Sequence, residues 1–208
     1  MKGMLVIISG PSGSGKGTVV KQLKNYSLSI SVTTRKKREG ELDGVDYFFR
    51  TEEEFTRMRE NNELLEHAVY VNQYYGTPRG YVEGQISEGK VVVLEIEVNG
   101  ALQVKEKFPD AVLVFLIPPT LDELARRLAF RSTEDPLEID DRMTRALEEI
   151  ELIDRYDYLV INEDLIHAAK EIDTIIAAEY LKPHRSKERI EKFANPLLFR
   201  TDAKNQHG

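Results

Sequence analysis

The 208-residue sequence has no cysteine and no tryptophan. Without a thiol, disulfides, zinc–thiolate centres and thiol nucleophiles are all excluded. Long hydrophobic runs are missing too: no stretch approaches the roughly 18–20 consecutive apolar residues that a membrane-spanning helix needs. No secretion signal is apparent, since Met1-Lys2-Gly3 leads straight into an apolar run too short for one. Positive charge is in deficit. The balance of 29 Lys and Arg against 36 Asp and Glu gives a formal net charge of -7, the wrong sign for a general nucleic-acid binder. No Ser-His-Asp arrangement, metal-spaced histidine cluster or pair of glycosidase-type carboxylates stands out. The expectation is a cytoplasmic protein whose partners are neither nucleic acid nor membrane. Its length and 41% hydrophobic content suffice for one full domain.

What the sequence does contain is Ser9–Thr18, SGPSGSGKGT, between an apolar β-prone run (Met4–Ile8) and a helix-like start at Val19–Leu23. Strand, glycine-rich loop and helix form the context of a phosphate-binding loop, as opposed to a merely flexible turn with a solvated lysine. Glycines let backbone N–H groups turn inward around a phosphate, and the helix dipole points at the same spot. Gly13, Ser14, Gly15, Lys16 and Gly17 fall in this cradle, with Lys16 carrying the mobile charge. After Gly10, Gly15 and Lys16 the pattern departs: Gly17 stands where Ser or Thr is usual. The hydroxyl normally assigned to magnesium shifts to Thr18, so contact through a metal-bound water is expected. The loop predicts a nucleoside triphosphate site.

Apolar runs at Met4–Ser9, Val91–Ile96, Val112–Ile117 and Tyr158–Ile161 alternate with helical patterns. Runs of this kind fit parallel strands covered on both faces, hence an α/β sheet. The nucleotide then belongs at the C-terminal edge of the strands. Between the first two runs lies a segment of different character, residues 31–89. It holds the basic TTRKKREGELDG stretch, the aromatic Tyr47-Phe48-Phe49, and a capping-box pair, Thr51 and Glu54. A strand-like Leu64–Val71 follows, then a turn in which Thr77 is positioned to cap a helix with Pro78 first. Later, Thr120 opens a helix with Leu121, Leu124 and Leu128 in one stripe, and Asp135-Pro136 opens another with Ile139, Met143, Leu147 and Ile150. The polar link Arg131–Asp135 between them reads as a lid. A last amphipathic helix spans Ile166 to Leu181, and a polar extension follows.

Several charged sets suit phosphate chemistry. Arg35 and Arg38, followed by Tyr47, suit a phosphate monoester, because the guanidinium fork matches its oxygens. Arg127 and Arg131 share a helix face, with Arg142 at the start of the next helix. They are suited to a phosphoryl group in flight, or to surface pairing with Glu123, Glu134 or Asp141. Glu95 and Glu97 end the VVVLEIE run, placed for a magnesium-bound water or for base and ribose. Glu66, among apolar neighbours, can accept two hydrogen bonds, as the donor edge of guanine requires. His67 reads as structural.

The sequence resembles the guanylate kinase family, whose members pass the γ-phosphate of ATP to GMP. SVTTRKKREGELDGVDY (Ser31–Tyr47) resembles the family's guanylate-binding signature, and E-H-A-x-Y, Y-Y-G-T, L-E-I-E-V-x-G and F-L-I-P-P follow in its order. The resemblance implies a three-layer phosphate-loop core with a parallel sheet, an inserted GMP-binding lobe and a short helical lid. On that pattern the family-like domain covers 1–181: core 1–30 and 90–181, lobe 31–89, lid about 128–140, with 182–208 as the extension. It further implies that Arg35, Arg38, Tyr47 and Tyr75 hold the GMP phosphate and that Ser31, Glu66 and Thr77 read guanine. Glu95 and Glu97 would lie near base, ribose or magnesium. Lys16, Arg38, Arg131 and Arg142 would be catalytic, with Arg127 beside them, and Asn162 and Glu163 would border the adenine. Mg²⁺ would accompany ATP. The oligomeric state stays open between monomer and homodimer. Phe130 and Ser132 stand where the family's lid carries glycine, so a stiffer lid is expected.

Overall fold

The structure, a computed structural model, describes residues 3–70, 72–130 and 136–194. Its centre is a five-stranded sheet of β1 (Met4–Ser9), β2 (Ser27–Leu28), β7 (Val91–Glu95), β8 (Val112–Ile117) and β9 (Tyr158–Ile161), in the order β2-β7-β1-β8-β9. All four pairings are parallel. The alternation of side chains along β1 builds two cores. Met4, Val6 and Ile8 point to one face, where α1 (Lys16–Val20) and α7 (Leu165–Glu179) supply Val19, Val20, Ile172 and Ile176. Leu5 and Ile7 point to the other, against Val82 and Ile86 of α3 (Arg79–Ser87) and Val98, Ala101 and Val104 of α4 (Val98–Lys107). Helix, sheet and helix make three layers, which explains why the core strands are apolar on both faces. The fold is α/β of the phosphate-loop type.

The strand β2 has no apolar run to announce it; its two residues are ordered by pairing with Val92 and Val93. β7 stops at Glu95, one residue early, and α1 opens at Lys16 and lasts five residues.

A second sheet, ordered β4-β3-β6-β5, is formed by β3 (Val32–Thr33), β4 (Phe48–Phe49), β5 (Leu64–Tyr70) and β6 (Gln73–Pro78). Its small core is Val32, Phe55 and Leu64, flanked by Phe48, Met58 and Tyr74. Phe55 comes from α2 (Glu52–Glu60), whose first turn carries the expected capping box: Glu54 N–H donates to Thr51 Oγ1 at 3.1 Å and Thr51 N–H to Glu54 Oε2 at 2.8 Å. The helix opens one residue later than expected, with Pro78 and not Thr77 as its cap. Both lie in β6, Pro78 is itself the N-cap of α3, and the Thr77 hydroxyl is spent elsewhere.

The helix α5 (Leu121–Phe130) starts as expected, with Glu123 N–H donating to Thr120 Oγ1. Leu124 and Leu128 are buried, with Ala146 of α6 (Pro136–Ile150), but Leu121 and Leu147 are exposed. The stripes are narrower than their periodicity indicates, because α5 and α6 cover each other over a short contact. Arg142 lies mid-helix rather than at a helix start. The link 131–135, and with it Arg131, Ser132 and the Asp135 cap, lies outside the described residues. A 3₁₀ turn at Pro183–Arg185 and α8 (Lys187–Ala194) follow α7. Among the described residues no helix is long and apolar enough to cross a membrane.

Candidate active site

From Ser9 the chain turns directly into the glycine-rich loop, which closes at Gly15, the N-cap of α1. Gly15 has φ 92°, and a Cβ there would come within 2.5 Å of Asn162 Nδ2. Glycine is thus demanded by backbone angle and by space at once. Asn162 Nδ2 donates to Ser14 O at 2.8 Å, fixing the end of β9 to the loop. The buried Lys16 ammonium donates to Gly10 O (2.6 Å) and Pro11 O (3.1 Å), with the Glu97 carboxylate 4.0 Å away. A full positive charge is therefore held against the loop before any phosphate is considered.

Two clefts open on either side of this loop. One, of about 420 Å³, is lined by Gly13, Gly15, Thr18, Arg127, Asn162 and Glu163, together with Arg126 and Leu165. Arg127 donates to Asn162 O (2.9 Å), to Ser14 O (3.3 Å) and to Glu123 Oε1 (2.7 Å). Hydrogen bonds from Arg126 and Arg127 push the Glu123 carboxyl down to about 2. Arg127 thus makes the surface pair with Glu123 and also borders the loop.

The other cleft, of about 250 Å³, gathers Lys16, Ser31, Tyr47, Glu66, Tyr75, Glu95 and Glu97. One of its buried polar groups, Glu66, is held from outside the cleft. Thr77 Oγ1 donates to Glu66 Oε1 at 2.7 Å, and burial pushes the Glu66 carboxyl up to about 7 against the pull of that hydrogen bond. Tyr47 and Tyr75 meet edge to face, ring centroids 6.1 Å apart. The Arg35 guanidinium lies 5.3 Å from the Tyr47 centroid and forks onto Glu41 at 2.7 and 3.0 Å. Glu41 also accepts the Arg38 backbone N–H at 2.8 Å, while the Arg38 side chain is exposed and lines neither cleft. His67, half-buried, also lines neither.

A third space, about 470 Å³, adjoins the smaller cleft at Tyr70 and Glu97, and its walls also include Ser12, Arg142, Arg145 and Glu149. Arg142 donates to Ser12 Oγ at 3.0 Å, docking α6 on the loop. Burial, then Glu97, pushes the Glu149 carboxyl up to about 7. Arg145 and Glu149 belong to no sequence motif, and Tyr70 enters only as the end of E-H-A-x-Y. The spacing of 142, 145 and 149 puts them on one helix face, but only the fold shows what that face meets.

Glu95 closes β7 in register with Ile8, which sets its carboxylate against Gly17. Thr18 opens instead onto the cleft of Asn162 and Arg127. Loop residue 17 and loop residue 18 thus look into different spaces.

This arrangement has close counterparts. Residues 2–179 match the guanylate kinase family. The guanylate kinase of Oceanobacillus iheyensis is 52% identical over 195 residues, covering 92% of this chain and 95% of that protein. That of Bacillus subtilis is 50% identical over 196 residues, covering 92% and 96%. The crystal structure of guanylate kinase from Anaplasma phagocytophilum superposes with a TM-score of 0.71 at 35% identity, over 88% of this chain and 89% of that one. With the loop, the two clefts and these matches in agreement over most of its length, the chain belongs to the guanylate kinase family.

Proposed function

We propose that the chain carries out ATP:GMP phosphotransfer with the two substrates divided between the two clefts flanking Lys16. ATP takes the cleft of Gly13, Thr18, Arg127, Asn162 and Glu163, its phosphates wrapped by the loop. GMP takes the cleft of Ser31, Tyr47, Glu66, Tyr75, Glu95 and Glu97. The observation that carries the assignment is the buried Glu66, held by the Thr77 hydroxyl, on the wall of the smaller cleft. A carboxylate anchored by one hydroxyl keeps acceptor capacity for the two adjacent donors of guanine, which the Watson–Crick edges of adenine and uracil lack.

In the reaction a GMP phosphate oxygen attacks the γ-phosphorus in line as the bond to ADP breaks. The attacking oxygen is already anionic, so no base is needed. The protein's task is alignment and charge. Lys16 exchanges the carbonyls of Gly10 and Pro11 for phosphate oxygens, Arg142 stands one hydrogen bond from the loop, and Arg35 exchanges Glu41 for the GMP phosphate. Arg38 and Arg131 complete the clamp in this reading, and closure of the lobe brings Arg38 in.

Mg²⁺ fits the donor set. The hard carboxylate oxygens of Glu95 lie beside the loop, and no three acidic or histidine side chains gather into a protein cage among the described residues. That combination suits an ion held through one carboxylate, water and substrate phosphates. When bound it neutralises charge on the β- and γ-phosphates. Recycling of purine nucleotides in the cytoplasm belongs to the same reading.

The test is coupled ADP release with ATP and Mg²⁺, offering GMP, AMP, CMP, UMP and dTMP separately. Turnover confined to GMP is expected. Equal use of another acceptor would discard the assignment of the smaller cleft.

A further inference from the structure

Gly17 is a glycine that its backbone does not require. It lies in the first turn of α1 and, unlike Gly10, Gly13 and Gly15, it does not have a positive φ. Any residue can adopt its conformation, and a serine there would complete the usual loop pattern. What a side chain would meet is a carboxylate: a Cβ on residue 17 would sit 3.1 Å from Glu95 Oε1 and 3.2 Å from Oε2, with nothing else closer than the same group's carbon. Contacts of that length are tighter than van der Waals packing accepts, so one partner must move.

Glu95 is exposed and gives way at its carboxylate, not at its backbone. It is the last residue of β7, held between β1 and β2, with Leu94 paired to Ile7 and Glu95 to Ile8. Its carboxylate faces the first turn of α1 on the side away from Thr18, which lines the other cleft. The hydroxyl at 18 therefore does not substitute for the one missing at 17.

We infer that Gly17 and Glu95 are one coupled unit, in which the room left by the absent side chain is filled by a long carboxylate that presents oxygen to the metal of the bound nucleotide. Glu95 takes over the loop hydroxyl's duty, and Gly17 is a positioning residue that acts through it. The inference rests on the reading of this loop as the Mg·ATP site. Two consequences follow from the steric coupling. Restoring the consensus serine at 17 loosens metal binding, because it displaces Glu95. Shortening the carboxylate by one methylene makes room for that serine, so the two changes compensate.

The experiment measures Mn²⁺ affinity for the enzyme–ATP complex by electron paramagnetic resonance, with no acceptor present. Four proteins are compared: unaltered, Gly17→Ser, Glu95→Asp, and the double variant. Each single change is expected to weaken Mn²⁺ by about tenfold, as loss of a ligand-orienting contact does. The double variant should return to within about threefold of the unaltered protein, a non-additivity that independent sites do not give. Thermal melting of all four checks folding; should Gly17→Ser fail to fold, weakening in Glu95→Asp with recovery in the double variant carries the same information. Unchanged or tighter Mn²⁺ in Gly17→Ser, or a double variant as weak as the product of the singles, overturns the coupling. Failure of the unaltered protein to bind ATP at all would instead overturn the loop assignment beneath it.

Discussion

The Thr77 hydroxyl donates to Glu66 Oε1 at 2.7 Å across the β5–β6 pair, with both side chains buried. The other carboxylate oxygen packs against α4, where a Cβ on Gly100 would approach Glu66 Oε2 to 3.0 Å. The carboxylate is therefore fixed from two sides, on strands rather than on a loop. Orientation of this sort is what lets a single acidic group discriminate between bases.

Replacing Glu66 by Gln tests that discrimination. The amide oxygen can still take the Thr77 bond, but its NH₂ then opposes the donor edge of guanine. Leaving buried donors unmatched costs on the order of 10²-fold or more in kcat/KM. A loss of that size for GMP is expected, without a loss for weak acceptors such as AMP. Steady-state assays with both acceptors measure it, and an unchanged preference would end the account of guanine reading.

The same residue imposes a pH dependence. In the fold the carboxyl is raised to about 7 from an ordinary 4.5, chiefly by burial. The folded state thus holds the proton over a range where the unfolded chain has released it. Stability from this group is full below about 4.5, declines as pH rises toward about 7, and stays flat above. The decline amounts to on the order of 3 kcal/mol. Glu66→Gln should flatten it, so the variant melts higher than the unaltered protein at pH 8 and gains nothing at pH 4. Catalysis runs the opposite way. GMP needs the ionised carboxylate, so kcat/KM for GMP should fall below about pH 7 through a limb that Glu66→Gln lacks.

Lys16→Met removes the one full charge buried inside the loop. Catalysis is expected to drop by about 10²–10³-fold, the usual loss when a preorganised charge at the transferring group is deleted. Stability falls as well, because the carbonyls of Gly10 and Pro11 lose their donor, at about 1–3 kcal/mol. Lys16→Arg should recover little, since a planar fork does not fit between carbonyls that hold a compact ammonium. Single-turnover kinetics separate this from weakened ATP binding.

How much of this was legible beforehand depended on range. The phosphate loop, the capping box at Thr51 and Glu54 and the four long core strands are local patterns, and each formed with only end shifts. The strand β2 was not legible, because Ser27 and Leu28 become a strand only through Val92 and Val93. Thr77 was read as a helix cap because the Pro78 beside it suits a helix start; its partner, Glu66, lies eleven residues back on another strand. Periodicity marked Leu121 and Leu147 as buried, yet the width of a buried stripe is set by the neighbouring helix. The residues that gather in the smaller cleft came from separate motifs, and their convergence, like the outward turn of Arg38, needed the fold.

At the opposite end of the sheet from the loop, Glu179 tests how the C-terminal segment is fastened. Its carboxylate is 1% exposed and accepts from Tyr158 Oη (2.7 Å), Lys182 Nζ (2.6 Å) and Arg185 Nε (3.1 Å). Arg185 in turn donates to Asp110 O at 2.6 Å, so one acid ties α7, β9 and the Pro183–Arg185 turn together. Burial alone would raise this carboxyl, but the bonds from Lys182 and Tyr158 outweigh it and hold the group below its ordinary value. A carboxyl so depressed gives stability that is present above the unfolded pKa of 4.5 and lost as pH falls below it. Glu179→Ala takes away one of the two carboxylates that hold the Arg185 guanidinium, itself 10% exposed, and leaves Asp110 Oδ2 at 3.3 Å as its remaining ionic partner. With Arg185 still paired to Asp110, the loss of the charge-assisted bonds to Glu179 costs about 1–3 kcal/mol. Urea unfolding at pH 7 should show that loss, and the gap between variant and unaltered protein should narrow at pH 3. Turnover of the folded variant should be unaltered, because Tyr158 begins β9 while Asn162, which meets the loop, follows its far end. A gap that stayed constant with pH would mean that packing, not charge, does the fastening.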